Sequence, residues 1–278
     1  MSRWGAESCS FVSILIWMLA VPTSSNATEV VDIESRGEIT RILVEDPEPY
    51  LDFNKDPPEV KPETIGVAVL FAGGGGVLKI TEYGNVRKLS GNFLIRSANY
   101  FRENGFVTAI IDGPSDQAHS LYGFRGSSDH AEDIGAVIGH LRAKYTVPIW
   151  LVGTSRGTNS VANAAIRLNG ENGPDGIVLT SSMLASNRKG DYVLQYDLDE
   201  IRVPVVIAHH RNDSCSVTPP HNVDDMAEDL EKARHVKVLW YEGGVDVGPA
   251  CQARGHHGFA GIEKQVVDDI SEAMRATR

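Results

Sequence analysis

The chain has 278 residues, 42% of them hydrophobic, and a formal net charge of −11 at pH 7; the length suits one large α/β domain or two small ones, and nothing in the middle reads as a linker. No basic stripe is present to neutralise phosphates, and this excludes nucleic acid as a partner. Acidity of this kind describes a mutually repelling surface and names no ligand.

The N-terminus stands apart. Arg3 precedes an apolar run, Phe11 to Val21, that is too short to span a bilayer, and Ser25-Asn26-Ala27 comes next with small residues at cleavage positions. This pattern predicts a secretory signal peptide over residues 1–27 and a single domain over 28–278, secreted or periplasmic. No later apolar stretch is long enough to cross a membrane, so the mature chain is expected to lack an integral membrane segment. Cys9 would leave with the leader. Cys215 and Cys251 then remain as an even pair in an oxidising compartment, which predicts a disulfide between them.

Glu38 to Glu45 alternates polar and apolar residues, as a half-exposed edge strand does. Asp46 to Glu63 is rich in proline and charge and reads as a surface connection. Ile65 to Ala72 is continuously apolar, predicts a central strand buried on both faces, and runs into Gly73-Gly74-Gly75-Gly76. Ser90 to Asn104 carries an apolar stripe and reads as a helix stopped at Asn104-Gly105. A buried strand is expected over 106–112. A loop holding Tyr122, Phe124 and Arg125 comes after it, with those three side chains expected along a pocket. Next comes a helix capped by Ser127 or Ser128.

Pro148 to Thr154 reads as a further strand, and the small residues Asn159 to Ile166 as a helix packed close to a sheet. Between them Gly153-Thr154-Ser155-Arg156-Gly157 fits G-x-S-x-G, a turn that holds a serine at a sheet edge. Strands are expected at 176–180, 203–208 and 235–240, and helices at 224–233 and 262–276. This alternation predicts a three-layer α/β architecture, with a mainly parallel central sheet and helices on both faces.

Sites in such sheets form where strands end. At those ends stand the glycine run, Ser155, the segment His209-His210-Arg211-Asn212-Asp213, and Gly255-His256-His257-Gly258-Phe259. A serine hydroxyl needs a base, histidine supplies one near neutrality, and a carboxylate fixes its tautomer. His256 and His257 compete for the base, and the spacing of His257-Gly258-Phe259 to the last helix favours His257. The four histidines with Asp213 also suggest a zinc site. Adjacent histidines on an extended segment point to opposite faces, however, so each pair offers one easy ligand and no metal is expected. The glycine run lacks the spacing of a dinucleotide or Walker A loop.

On Gly153-Thr154-Ser155-Arg156-Gly157, Asp213 and His257-Gly258-Phe259, in that chain order, residues 37–277 resemble the α/β-hydrolase superfamily, particularly its small secreted bacterial members without a large cap domain. The resemblance implies Ser155 as nucleophile, His257 as base, Asp213 as its orienting acid and no cofactor. It also implies oxyanion donors from the Arg156 N–H and from Gly73 or Gly74, although Ala72 stands where a histidine is usual. The implied reaction is cleavage of a small or polymeric carboxylic ester. Two rivals are an amidase or peptidase using the same triad, and a hydrolase-fold binding protein that does not use it. A local Asp or Glu is the expected partner of the Arg156 side chain, with a substrate carboxylate as the other reading.

Overall fold

The computed structural model describes residue 1 and residues 28–47, 50–52, 59–61 and 64–277. The expected signal peptide, Met1 apart, and much of the proline-rich stretch lie outside these residues.

Among the described residues ten strands form. β1 (Glu29–Ser35), β2 (Glu38–Glu45), β5 (Gly66–Phe71), β6 (Phe106–Ile111), β7 (Ile149–Thr154), β8 (Gly176–Thr180), β9 (Val205–His210) and β10 (Val236–Tyr241) build one sheet in the order β1-β2-β6-β5-β7-β8-β9-β10. β3 (Tyr50–Asp52) and β4 (Glu59–Lys61) pair as a small separate ribbon. β1 and β2 join antiparallel, and every pairing from β6 to β10 is parallel.

Period-2 alternation divides the core into two. On β5, Val67, Val69 and Phe71 face one layer with α3 (Ser128–Lys144), α4 (Gly157–Arg167) and α5 (Val223–Glu228), while Ala68 and Leu70 face the other with α1 (Phe93–Arg96), α2 (Ala98–Glu103) and α6 (Glu263–Ala276). Both faces of β5, β6, β7, β8 and β9 are therefore buried, which is why these strands read as largely apolar runs, whereas β10, at the far edge, is mostly part-exposed. β5 lies between β6 and β7, so the chain leaves its carboxyl end in one direction and returns on the other side. That switch point opens a crevice between the loops after β5 and β7.

Several expectations change. Glu38–Glu45 is an interior strand, because Glu29–Ser35 pairs outside it; the edge is β1, whose residues are mostly part-exposed. The helix expected from Ser90 to Asn104 is two short ones broken at buried Ser97, whose φ of −107° leaves helical values. The helix expected over 224–233 ends at Glu228, with no basic residue in its last turn and Asp229 at its C-cap, against the helix dipole. β9 runs on through His210, which pairs with Tyr241, so His209 and His210 belong to the strand and not to the loop after it.

α4 approaches the sheet very closely. A Cβ on Gly157 would run into the carbonyl oxygen of Phe71, and one on Gly153 would lie 2.7 Å from the Gly157 backbone. No rotamer relieves a backbone collision. Gly157→Ala is expected to lower stability by about 2–3 kcal/mol in urea denaturation. Gly139→Ala, in α3 with open space around it, is expected to raise stability by about 0.5–1 kcal/mol. A Gly157→Ala protein as stable as the parent would contradict the close approach.

Candidate active site

Ser155 sits between the end of β7 and the first turn of α4 with φ at +51°, a left-handed conformation that a serine adopts only when its surroundings hold it there. They do so on both sides. The Ser155 N–H donates to the Thr180 carbonyl at 3.0 Å, and the Thr158 hydroxyl donates to the Ser155 carbonyl at 2.6 Å while accepting from the Met183 N–H at 3.2 Å. Gly73 abuts the Ser155 turn, since a Cβ there would lie 3.0 Å from Ser155 Cβ.

Asp213 and His257 come together across the ends of β9 and β10. His257 Nδ1 lies 2.9 Å from Asp213 Oδ2, so Nδ1 carries the proton and Nε2 is the basic nitrogen. The carboxylate is well supplied with donors. Thr218 Oγ1 donates to Oδ2 at 2.9 Å and lies 3.2 Å from His257 Nδ1, and the Cys215 N–H donates to Oδ1 at 3.0 Å. Burial pushes the Asp213 carboxyl up, but the bond from His257, the charge of that ring and the Cys215 N–H together outweigh it, and the group stays below its ordinary value. The His257 backbone is fixed too: Ser181 Oγ donates to its carbonyl at 2.9 Å, and Arg96 Nη2 donates to the next carbonyl, Gly258, at 2.7 Å.

Ser155 and His257 line one cavity of about 670 Å³ with Gly73, Gly74, Asn92, Phe93, Tyr122 and Arg254. Its outer wall is the segment 247–254, clipped by a Cys215–Cys251 disulfide to the loop that carries Asp213. The segment between β8 and β9 holds only two short 3-10 turns and no cap. Among the described residues no helix is long and apolar enough to cross a membrane.

No family model matches the sequence, and no curated protein matches it. Solved structures do. A serine hydrolase without a lid from Xanthomonas campestris superposes with a TM-score of 0.57 at 18% identity, covering 90% of this chain and 93% of that one. Est1E from Butyrivibrio proteoclasticus gives 0.57 at 15% identity, covering 91% and 99%. An acylaminoacyl peptidase from Pyrococcus horikoshii gives 0.59 at 14% identity, covering 91% of this chain and 42% of that one. The chain has the α/β-hydrolase fold.

Within this fold the expected residues fall out unequally. Ser155, Asp213, His257, Gly73, Gly74 and the Arg156 backbone share one end of the sheet, and Cys215 and Cys251 are bonded. Of the three loop residues expected along the pocket, only Tyr122 lines it. Phe124 packs on His130, and Arg125 is buried behind the glycine loop. The Arg156 side chain has neutral partners, not the expected carboxylate: Nη2 donates to Asn187 Oδ1 at 2.7 Å, Nη1 lies 3.4 Å from the Lys189 carbonyl, and the guanidinium sits over the Tyr122 ring. His256 stacks on His210 at 4.2 Å and contacts the Asn212 carbonyl. Thr218 and Ser181 had no sequence signal, because each acts through a contact between distant segments.

His209 lies behind Asp213. Its Nε2 donates to the Thr218 carbonyl at 3.1 Å and is 3.7 Å from Asp213 Oδ2. Burial pushes this imidazole from 6.5 down to about 4. Between those values the unfolded chain binds the proton and the folded chain does not, so stability falls as pH drops from 6.5 towards 4. The loss attributable to His209 is roughly 3 kcal/mol. Denaturation at both pH values should show a loss smaller by that amount in His209→Gln, whose amide still donates to Thr218. An unchanged loss contradicts the burial of a neutral His209.

Proposed function

We propose that this chain is a serine hydrolase that cleaves carboxylic esters through an acyl-enzyme on Ser155. The observation that carries the reading is the His257 Nδ1 to Asp213 Oδ2 bond beside a cavity shared with Ser155. Ser155 Oγ attacks the acyl carbon while His257 Nε2 takes its proton, and the carbonyl electron pair moves onto oxygen. The resulting oxyanion is held by the Arg156 N–H, at the unsatisfied start of α4, and by an N–H of the glycine loop. Each such donor lowers the barrier by about 3–4 kcal/mol. Collapse breaks the bond to the alcohol, which leaves with the proton from His257. Water then repeats the sequence on the acyl-enzyme, and the acid departs. Asp213 keeps His257 in the productive tautomer throughout.

The structural neighbours include peptidases, so amide cleavage by the same residues is the second reading. The disulfide and the leader-like N-terminal segment support export of the chain.

A fluorophosphonate probe is expected to label the parent protein stoichiometrically and Ser155→Ala not at all; equal labelling of both would falsify the assignment of the nucleophile. Asp213→Asn is expected to lower p-nitrophenyl ester turnover about 10,000-fold through the wrong histidine tautomer. Faster turnover of a matched p-nitroanilide than of the ester moves the chain to the amidases.

The disulfide closes a loop with a sequence separation of 36 residues, for which chain entropy predicts a stabilisation of about 3–4 kcal/mol. Because it also anchors a cavity wall and the acid loop, mild reductant is expected to lower kcat/KM at concentrations that leave the circular dichroism spectrum intact. Coincident loss of activity and spectrum would assign the bond to general stability alone.

A further inference from the structure

Arg125 is a buried cation without an anion. It is 4% exposed, and among the described residues no carboxylate lies within ion-pair distance of it, whereas Arg36, Arg41, Arg96, Arg102 and Arg142 each pair with an Asp or Glu. Its hydrogen-bond partners are neutral. Nη2 donates to the Ala72 carbonyl at 2.9 Å, and Nη1 donates to Ser160 Oγ at 2.7 Å. The surroundings supply no compensation. His130 shares Ser160 Oγ at 2.9 Å and is kept neutral, because burial pushes it down to about 3. Asp112 lines the same small internal cavity, but its oxygens accept from the N–H groups of Leu78, Ile80 and Gly113. A second cation, Arg156, further disfavours the charged guanidinium. Burial pushes the Arg125 guanidinium down to about 10, which leaves it charged at neutral pH. A charge buried this way is costly, and a site where negative charge develops is where such a cost is recovered.

The bond to Ala72 reaches the chemistry through one peptide plane. The Ala72 carbonyl and the Gly73 N–H belong to the same planar, trans amide and point in opposite directions. A donor that fixes the carbonyl therefore fixes the N–H, and a charged donor on the oxygen polarises the amide so that its N–H donates more strongly. Gly73 is the residue that abuts Ser155. The other anchor, Ser160, lies on α4, the helix that begins directly after Ser155 and Arg156. Arg125 thus ties the glycine loop and the nucleophile helix to one rigid group. Gly76 leaves its path open, since a Cβ there would collide with Arg125 Nη2.

We propose that Arg125 is a positioning residue that orients and polarises the Gly73 N–H as the second oxyanion donor. The inference rests on the serine-hydrolase reading and selects Gly73 over Gly74 as the donor within it.

The test compares the parent protein with Arg125→Met and Arg125→Lys, counting active sites by fluorophosphonate titration so that turnover is expressed per folded site. In Arg125→Met, kcat for a p-nitrophenyl ester is expected to fall about 100-fold, as for a donor displaced by about 1 Å, with KM changed less than about threefold. Binding of a trifluoromethyl ketone, which adds to the serine as a tetrahedral anion, should weaken by the same factor as kcat/KM. Arg125→Lys keeps the charge but not the two-point hold, and is expected to lose about tenfold in kcat with the same match to ketone binding. If Arg125→Met does not fold, Arg125→Lys decides alone. A labelled parent with kcat per site unchanged in the folded variants overturns this inference and leaves the hydrolase reading standing. Loss expressed in KM, with ketone binding unchanged, also overturns it. An unlabelled parent overturns both.

Discussion

The first turn of α4 lies against the Phe71 carbonyl with no room for a side chain at Gly157, and the site depends on that contact. The last residue of β5 and the first of α4 are held at a fixed distance. The glycine loop begins just after Phe71, and Ser155 stands just before Gly157. One backbone approach therefore sets the separation between Ser155 and the loop beside it. The positive φ of Ser155 has the same origin, because a strand that must turn straight into a helix this close to the sheet has few conformations available. The strain is balanced by the Thr180, Thr158 and Met183 hydrogen bonds around the turn.

The second half of the site is organised by electrostatics. The Asp213 carboxylate collects donors from His257, Thr218 and the Cys215 backbone, so its charge is stabilised by short-range bonds in a buried place instead of by water. On the other side, Arg125 and Arg156 both have neutral hydrogen-bond partners in a chain whose net charge is −11. Among the described residues neither arginine has a carboxylate partner, although the chain holds 37 acidic residues, and this concentrates positive potential beside Ser155. A fixed field of this kind needs no reorganisation when an anion forms nearby.

Much of this could be read from the chain. The unbroken apolar runs of β5, β6, β7 and β8 state burial on both faces, and G-x-S-x-G between a strand and small residues states a tight turn. Strand ends then bring Ser155, Asp213 and His257 to one edge without any contact being known. The features that could not be read share one cause: they depend on which distant segments touch. Glu38–Glu45 looks like an edge strand until Glu29–Ser35 is seen to pair outside it. His209 and His210 look like loop residues until β10 extends the ladder through them. Arg156 finds Asn187 and Tyr122 because the loops after β8 and β6 meet at it, and Arg125 reads as a pocket-lining loop residue until its contacts with Ala72 and Gly76 bury it behind the glycine run. The break at Ser97 has no proline or glycine to announce it.

Ser155, His257 and Asp213 are proposed to act as one unit. The most direct measurement is the kcat of Ser155→Ala, of His257→Ala and of the double variant on the same ester. The double variant is expected to lose no more than the worse single variant, because a serine without its base and a base without its serine are equally idle. Losses that multiply between the two singles would show independent contributions and contradict a single unit.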